Sequence, residues 1–118
     1  MNNPLIIESY RFGRMRISGE IYNRDLIIRS NRVICPWQRL KGHLLQVADL
    51  EPYFEEDKPH ILIVGTGKFG VMKVHETVRK WCGGNGIKLI TCKTVEAADK
   101  FNMFQKQEQV AGAFHINC

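Results

Sequence analysis

The chain has 118 residues and a mass of 13.6 kDa, with 44% hydrophobic and 25% charged residues, the balance of an ordinary globular domain with room for one core. No apolar run nears the roughly 18 residues of a membrane span, and the composition also excludes collagen, coiled coil and disorder. The formal net charge of +5 is divided, with +5 in residues 1–46, −4 in residues 47–58 and +4 in residues 59–118, so no single basic run marks a nucleic-acid or membrane partner.

The first third reads as strands. Ile6 to Tyr10 is a short apolar run, Phe12-Gly13 a turn, and Met15 and Ile17 alternate with Arg14, Arg16 and Ser18 up to Gly19. Asp25 to Arg29 carries Leu26-Ile27-Ile28, Ser30-Asn31 turns the chain, and Arg32 to Cys35 returns before Pro36. Such closely spaced strands predict an N-terminal antiparallel β meander. Arg14 and Arg16 share a strand face, yet the stretch lacks the interleaved aromatics of a single-strand platform. Nucleic acid is therefore not the expected partner.

The period changes in the second half. Asp49 is placed to cap a short helix running to about Glu56, with Pro52 in its first turn. His60 to Val64 is a continuous apolar strand, as one buried on both faces requires. Val74, Val78 and Trp81-Cys82 show helical spacing over residues 75–85, stopped by Gly83-Gly84-Asn85-Gly86. Ile87 to Thr91 is a strand, Thr94 caps a helix reaching about Gln107, and Val110 to Ile116 is the last strand. Residues 60–116 thus form a C-terminal β-α-β-α-β unit whose first two strands run parallel. With no repeat or linker, residues 1–118 are expected as a single domain.

Gly65-Thr66-Gly67-Lys68-Phe69-Gly70 is a literal G-x-G-x-x-G after a buried strand. Such glycines let backbone amides approach an anion, and a following helix would add its dipole. Three features weaken a dinucleotide reading: Val71 to Val74 need not be helical, Cys92-Lys93-Thr94 stands where an acidic ribose ligand belongs, and only half of a doubly wound sheet is present. Lys68 comes too soon after Gly65 for a P-loop. The bland reading is a structural turn at the strand exit. In the Trp37 to Leu45 loop, Arg39 offers a planar fork for an anion and Trp37 an apolar wall. The alternative is that Trp37 covers the core edge while Arg39 pairs with a carboxylate of residues 49–57.

Four cysteines are widely spaced, without a C-x-x-C pair. Cys82 and Cys92 read as core, and only Cys35 could be considered as a nucleophile. His115-x-x-Cys118 has ligand-like spacing but lacks a second pair for zinc. No catalytic residue, metal site or cofactor is assigned. The start Met1-Asn2-Asn3-Pro4 has neither the basic nor the apolar region of a secretory signal, so a cytoplasmic protein is expected.

Three passages together resemble one small family. They are Trp37-x-Arg39-x-x-Gly42-His43-x-Leu45 with Asp49-Leu50, then Ile61 to Gly67, and the ending Ala111-Gly112-Ala113-Phe114-His115. The family includes the adipogenesis-associated mammalian protein and a mitochondrial respiratory complex I assembly factor, and its microbial members are largely of unknown function. The resemblance implies an α/β three-layer domain with a central mixed sheet and a small β layer from the N-terminal strands. It places the family's glycine turn at Gly65-Thr66-Gly67 and its tryptophan-arginine loop at Trp37 and Arg39, and it implies no reaction.

The expectation is a non-enzymatic protein that binds a protein or small-molecule partner, with complex assembly as the role the resemblance implies. The alternative is a small enzyme or binding protein for an anionic metabolite or nucleotide, using the turn at 65–70. Either way, ligands in open α/β sheets sit beyond the carboxyl ends of parallel strands. Gly65, Thr66, Gly67 and Thr94 are therefore expected to border one cleft, with Trp37 or Arg39 at its rim. An open edge on the Val110 to Ile116 strand or on the N-terminal meander would also allow a homodimer.

Overall fold

A computed structural model describes residues 3–117. Strands β1 (Ile7–Arg11), β2 (Arg14–Ile17) and β3 (Glu20–Tyr22) form an antiparallel sheet of their own, in that order. Gly13 permits the first tight turn at φ +73°. Met15 and Ile17 point into the core while Arg14 and Arg16 face out, the alternation expected of a sheet covered on one side.

The next hairpin, β4 (Leu26–Arg29) and β5 (Arg32–Ile34), leaves this sheet. A single meander running from residue 6 to residue 35 is thus corrected: it ends at Tyr22. Leu26, Ile27 and Ile28 are all buried, and a continuous apolar run needs cover on both faces. The hairpin accordingly joins a five-stranded sheet of order β5-β4-β10-β7-β9, with β7 at Ile61–Gly65, β9 at Lys88–Cys92 and β10 at Val110–Phe114. Here β10 and β9 run parallel to β7, and β4 runs antiparallel to β10. The sheet is mixed.

Two helices make the crossovers, α1 (Glu76–Gly84) between β7 and β9 and α2 (Thr94–Phe104) between β9 and β10. His75 caps α1, its ring accepting the Thr77 amide at 3.2 Å. The N-cap of α2 is Lys93 rather than Thr94, whose hydroxyl is engaged elsewhere. Two 3-10 turns, Val47–Asp49 and Glu51–Tyr53, stand in place of the helix expected from Asp49 to about Glu56. Buried Asp49 turns its carboxylate back onto the amides of Gln46 (2.8 Å) and Leu40 (3.0 Å).

Alternation along β7 divides the interior. Leu62 and Val64 enter one core with Trp37, Leu50, Phe54 and the α1 residues Val78 and Cys82. Ile61 and Ile63 enter the other with Ala97 and Phe101 of α2 and with Ile7, Met15 and Ile17 of the N-terminal sheet. The result is three layers: α1 and the 3-10 turns, the mixed sheet, then α2 with the small sheet. Short strands β6 (Leu44–Leu45) and β8 (Lys73–Val74) pair in parallel and tie the loop after β5 to the loop after β7. Among the described residues no helix is long and apolar enough to cross a membrane.

Candidate functional site

The glycine turn leaves the carboxyl end of β7 and meets the start of α2. A Cβ on Gly65 would lie 2.8 Å from Thr94 Oγ1 and 3.1 Å from Thr94 Cα, so only glycine allows this approach. Gly67 adopts φ +104°, a region that favours glycine. Its amide donates to Thr94 Oγ1 at 2.8 Å, and its carbonyl accepts from Thr94 N at 3.1 Å. Thr66 is bonded to the Cys92 carbonyl through both its amide (2.9 Å) and its hydroxyl (3.1 Å). The turn clamps β7 to the start of α2 through bonds that occupy the amides of Thr66 and Gly67.

Thr94 carries the network onward. Its hydroxyl donates to the His115 carbonyl at 2.6 Å, and the His115 amide donates to the Gly65 carbonyl at 2.9 Å. His115 follows β10, beside the exit of β7. Its Nδ1 lies 2.7 Å from Asp25 Oδ2, and an ionised carboxylate only accepts, so Nδ1 carries the proton that joins them. The second oxygen, Oδ1, accepts the Ile116 amide at 2.7 Å.

Arg39 closes the cluster. Its Nη1 stands 2.8 Å from Asp25 Oδ2, off the angle of a well-aligned hydrogen bond, so charge holds this contact. Nε and Nη2 both donate to the Gly42 carbonyl, at 3.2 and 2.6 Å, and Cζ lies 4.8 Å from the centroid of the Trp37 ring. Nη2 also lies 3.1 Å from His115 Nδ1. With the Nδ1 proton directed to Asp25, that is a contact between two donors. The Trp37 amide donates to the Asp25 carbonyl at 2.7 Å and its indole N–H to the Asp49 carbonyl at 3.0 Å.

The structure thus brings Gly65, Thr66, Gly67, Thr94, Trp37 and Arg39 to one end of the sheet. The expectation that Trp37 or Arg39 forms a rim is corrected, because the Arg39 side chain is only 4% exposed and Trp37 is buried. The partner of Arg39 is also not in residues 49–57: β4 lies beside β10 and brings in Asp25. Sequence reasoning missed Asp25 and the role of His115. Burial alone would push the Asp25 carboxyl up, but the bonds from His115 and Ile116, the nearby imidazole and the Arg39 guanidinium outweigh it and hold the carboxyl below its ordinary range. His115 Nε2 is buried without a partner among the described residues, and the exposed His43 ring packs edge-on against His115 at 5.8 Å.

Other candidates lie apart from this cluster. Cys82 is buried on the core-facing side of α1, with its thiol pushed up to about 11 by desolvation. Cys35 and Cys92 are half-buried and also raised, chiefly by burial. None has the lowered value of an activated thiol. Cys118 lies outside the described residues, and among those described no group of metal-ligating side chains forms. A cavity of about 350 Å³ opens along Arg24, Asp25, Pro36, Trp37, Gln38 and Arg39.

Above the buried cluster three loops meet. Lys73 N donates to the His43 carbonyl at 2.8 Å, and β6 pairs with β8, so residues 37–43 lie against residues 66–73. The Lys93 side chain passes Gly70, 3.5 Å from where a Cβ would stand. The loops leave Leu40, Phe69 and Val71 exposed, and Val95 is exposed in the first turn of α2.

No curated protein matches this chain. A conserved hypothetical protein from Pyrococcus horikoshii is 26% identical, with a TM-score of 0.80 over 95% of this chain and 98% of that one. An outer membrane protein from Bartonella henselae superimposes with a TM-score of 0.82 at 20% identity, covering 98% of this chain and 97% of its own. A Bordetella pertussis protein described as a Mth938-like domain gives a TM-score of 0.63 at 15% identity, covering 99% of this chain and 91% of that one. The last two show a shared fold alone. The model for the protein family of unknown function DUF498/DUF598 matches residues 7–115. The family resemblance read from the three sequence passages therefore stands, and this chain belongs to the DUF498/DUF598 family.

Proposed function

We propose that this chain is a non-enzymatic binding protein that engages a partner protein on the surface formed by residues 37–43, 66–73 and 93–95. The exposure of large apolar side chains on these knit loops carries the reading, with Leu40 at 74% and Phe69 at 65%. Apolar groups gathered in this way favour an interface. Lys41, Lys68, Lys73 and Lys93 stand exposed among them, and Lys68 Nζ lies 5.7 Å from the Phe69 ring centroid. The complementary partner is a segment that mixes acidic with apolar side chains.

In this reading Trp37, Arg39, Gly65, Thr66, Gly67 and Thr94 support the surface from below, with Asp25 and His115 joining them. The chain acts as one unit of residues 1–118 in the cytoplasm, holding its partner during assembly of a larger complex. The Val110 to Ile116 strand is not an edge, because β10 is paired on both sides by β4 and β7. The outer strands β5 and β9 instead leave a route to a homodimer. A second reading places an anionic metabolite or nucleotide at the turn of residues 65–70. Exposed Lys68 within that turn, and the Lys93 side chain passing Gly70, favour it.

The test places a photoreactive side chain at position 69, at position 95 and, as a control, at exposed Met103 on α2. One protein captured from positions 69 and 95 and absent from 103, through a peptide rich in acidic and apolar residues, supports the proposal. Equal capture at 103 overturns it. So does a thermal shift with nucleotides or phosphates in the absence of selective capture, an outcome that supports the second reading.

A further inference from the structure

We infer that the outer face of the β1-β2-β3 sheet binds single-stranded nucleic acid, with Arg11, Arg14 and Arg16 contacting successive phosphates. The inference concerns a face separate from the proposed protein-docking surface. Strand pairing assembles it: Arg11 lies directly opposite Arg14, and Ser9 opposite Arg16. The sequence of β2 alone shows two arginines, and the pairing with β1 adds the third. Together with Ser9 they line a concavity of about 300 Å³.

Folding does not account for this arrangement. Like charges directly opposite on neighbouring strands destabilise a sheet. Arg16 meets Glu8, its Nε 3.3 Å from Oε1, whereas Arg11 and Arg14 form no ion pair among the described residues. The inner face of the same sheet is already occupied by core residues Ile7, Met15 and Ile17. Two of the three guanidinium groups, those of Arg11 and Arg14, are therefore held side by side without a counter-charge on this surface.

The spacing suits a linear polyanion. Arg14 and Arg16 are about 6.8 Å apart along β2, and directly opposed side chains such as those of Arg11 and Arg14 start about 5 Å apart. Guanidinium forks bind phosphate oxygens in pairs. Phe12, 54% exposed in the hairpin turn, stands at the Arg11-Arg14 end and can stack a base. Ile21 is exposed beside Arg16 at the opposite end. The two apolar groups are thus separated by the arginines, which disfavours a common wedge into a lipid surface and favours a strand laid across the face.

The test is fluorescence anisotropy with a labelled 12-nucleotide uridine strand, using the intact chain and the Arg11→Gln/Arg14→Gln variant. The intact chain should bind with a slope of log affinity against log salt of about −2, as three single-strand phosphates imply. The variant should lose tenfold or more in affinity while its melting temperature stays level or rises. A Lys80→Gln/Lys106→Gln variant with the same charge change should stay within twofold. No binding by the intact chain at low salt would overturn the inference, as would an equal loss in the lysine variant. Arginine-dependent sedimentation with phosphatidylglycerol vesicles, without oligonucleotide binding, would assign the face to membranes and overturn it too.

Discussion

Replacing Asp25 with Asn preserves the side-chain shape and removes the charge at the centre of the buried cluster. Asp25 is 11% exposed and Arg39 4%, so the substitution leaves a guanidinium with little solvent and no counter-charge. The new amide nitrogen also faces a second donor, because His115 Nδ1 and the Ile116 amide both point at this group. Breaking a buried pair from one side costs about 3–5 kcal/mol. For 118 residues the unfolding entropy is about 0.25 kcal/mol/K, which corresponds to a fall in Tm of about 12–20 °C. Urea unfolding and calorimetry of Asp25→Asn, Arg39→Met and the double variant would measure it. The double variant should lose clearly less than the sum of the singles, since the second change removes the stranded charge. The pH dependence has a definite sign. The folded carboxyl lies below its ordinary value, so its contribution is complete above about pH 4 and disappears as pH falls through the folded value. The stability gap between wild type and Asp25→Asn should therefore narrow below pH 4. Single-variant losses under about 1 kcal/mol, or a gap that widens in acid, would refute the reasoning.

Gly65→Ala places a Cβ 2.8 Å from Thr94 Oγ1 and 3.1 Å from the Thr94 backbone, so it should cost about 1–3 kcal/mol in urea unfolding. Cys82, buried with its thiol raised to about 11, should resist iodoacetamide at pH 8 in the folded chain and react once urea unfolds it. Phe69→Ser changes an exposed side chain and should alter folding stability by no more than about 0.5 kcal/mol, as chemical denaturation would show.

The elements legible in the sequence are those whose own residues carry the pattern. Ile61 to Val64 reads as a strand buried on both faces because it is apolar throughout, and the spacing of Val78 and Cys82 marks one face of α1. Strands of two or three residues, such as β3, β6 and β8, are too short to show a period. The β4-β5 hairpin reads correctly as strands, but which sheet it joins depends on β10, some 80 residues later. The cluster is hidden for the same reason. Asp25 and His115 are 90 residues apart and meet because β4 and β10 are neighbours. Local sequence offered Arg39 a nearer acidic block. The glycine turn was visible, whereas the feature that gives it physical sense, the approach of Thr94 to Gly65, comes from the packing of α2.

The central claim is that Leu40, Phe69, Val71 and Val95 form a docking surface for an acidic, apolar protein segment. Its most direct test is the dissociation constant of the segment captured at position 69, measured for wild type and Phe69→Ser. Burying a phenylalanine side chain contributes about 1.5–3 kcal/mol, so the variant should bind at least about tenfold more weakly, each 1.4 kcal/mol being a factor of ten. An affinity unchanged within twofold in Phe69→Ser would contradict the account.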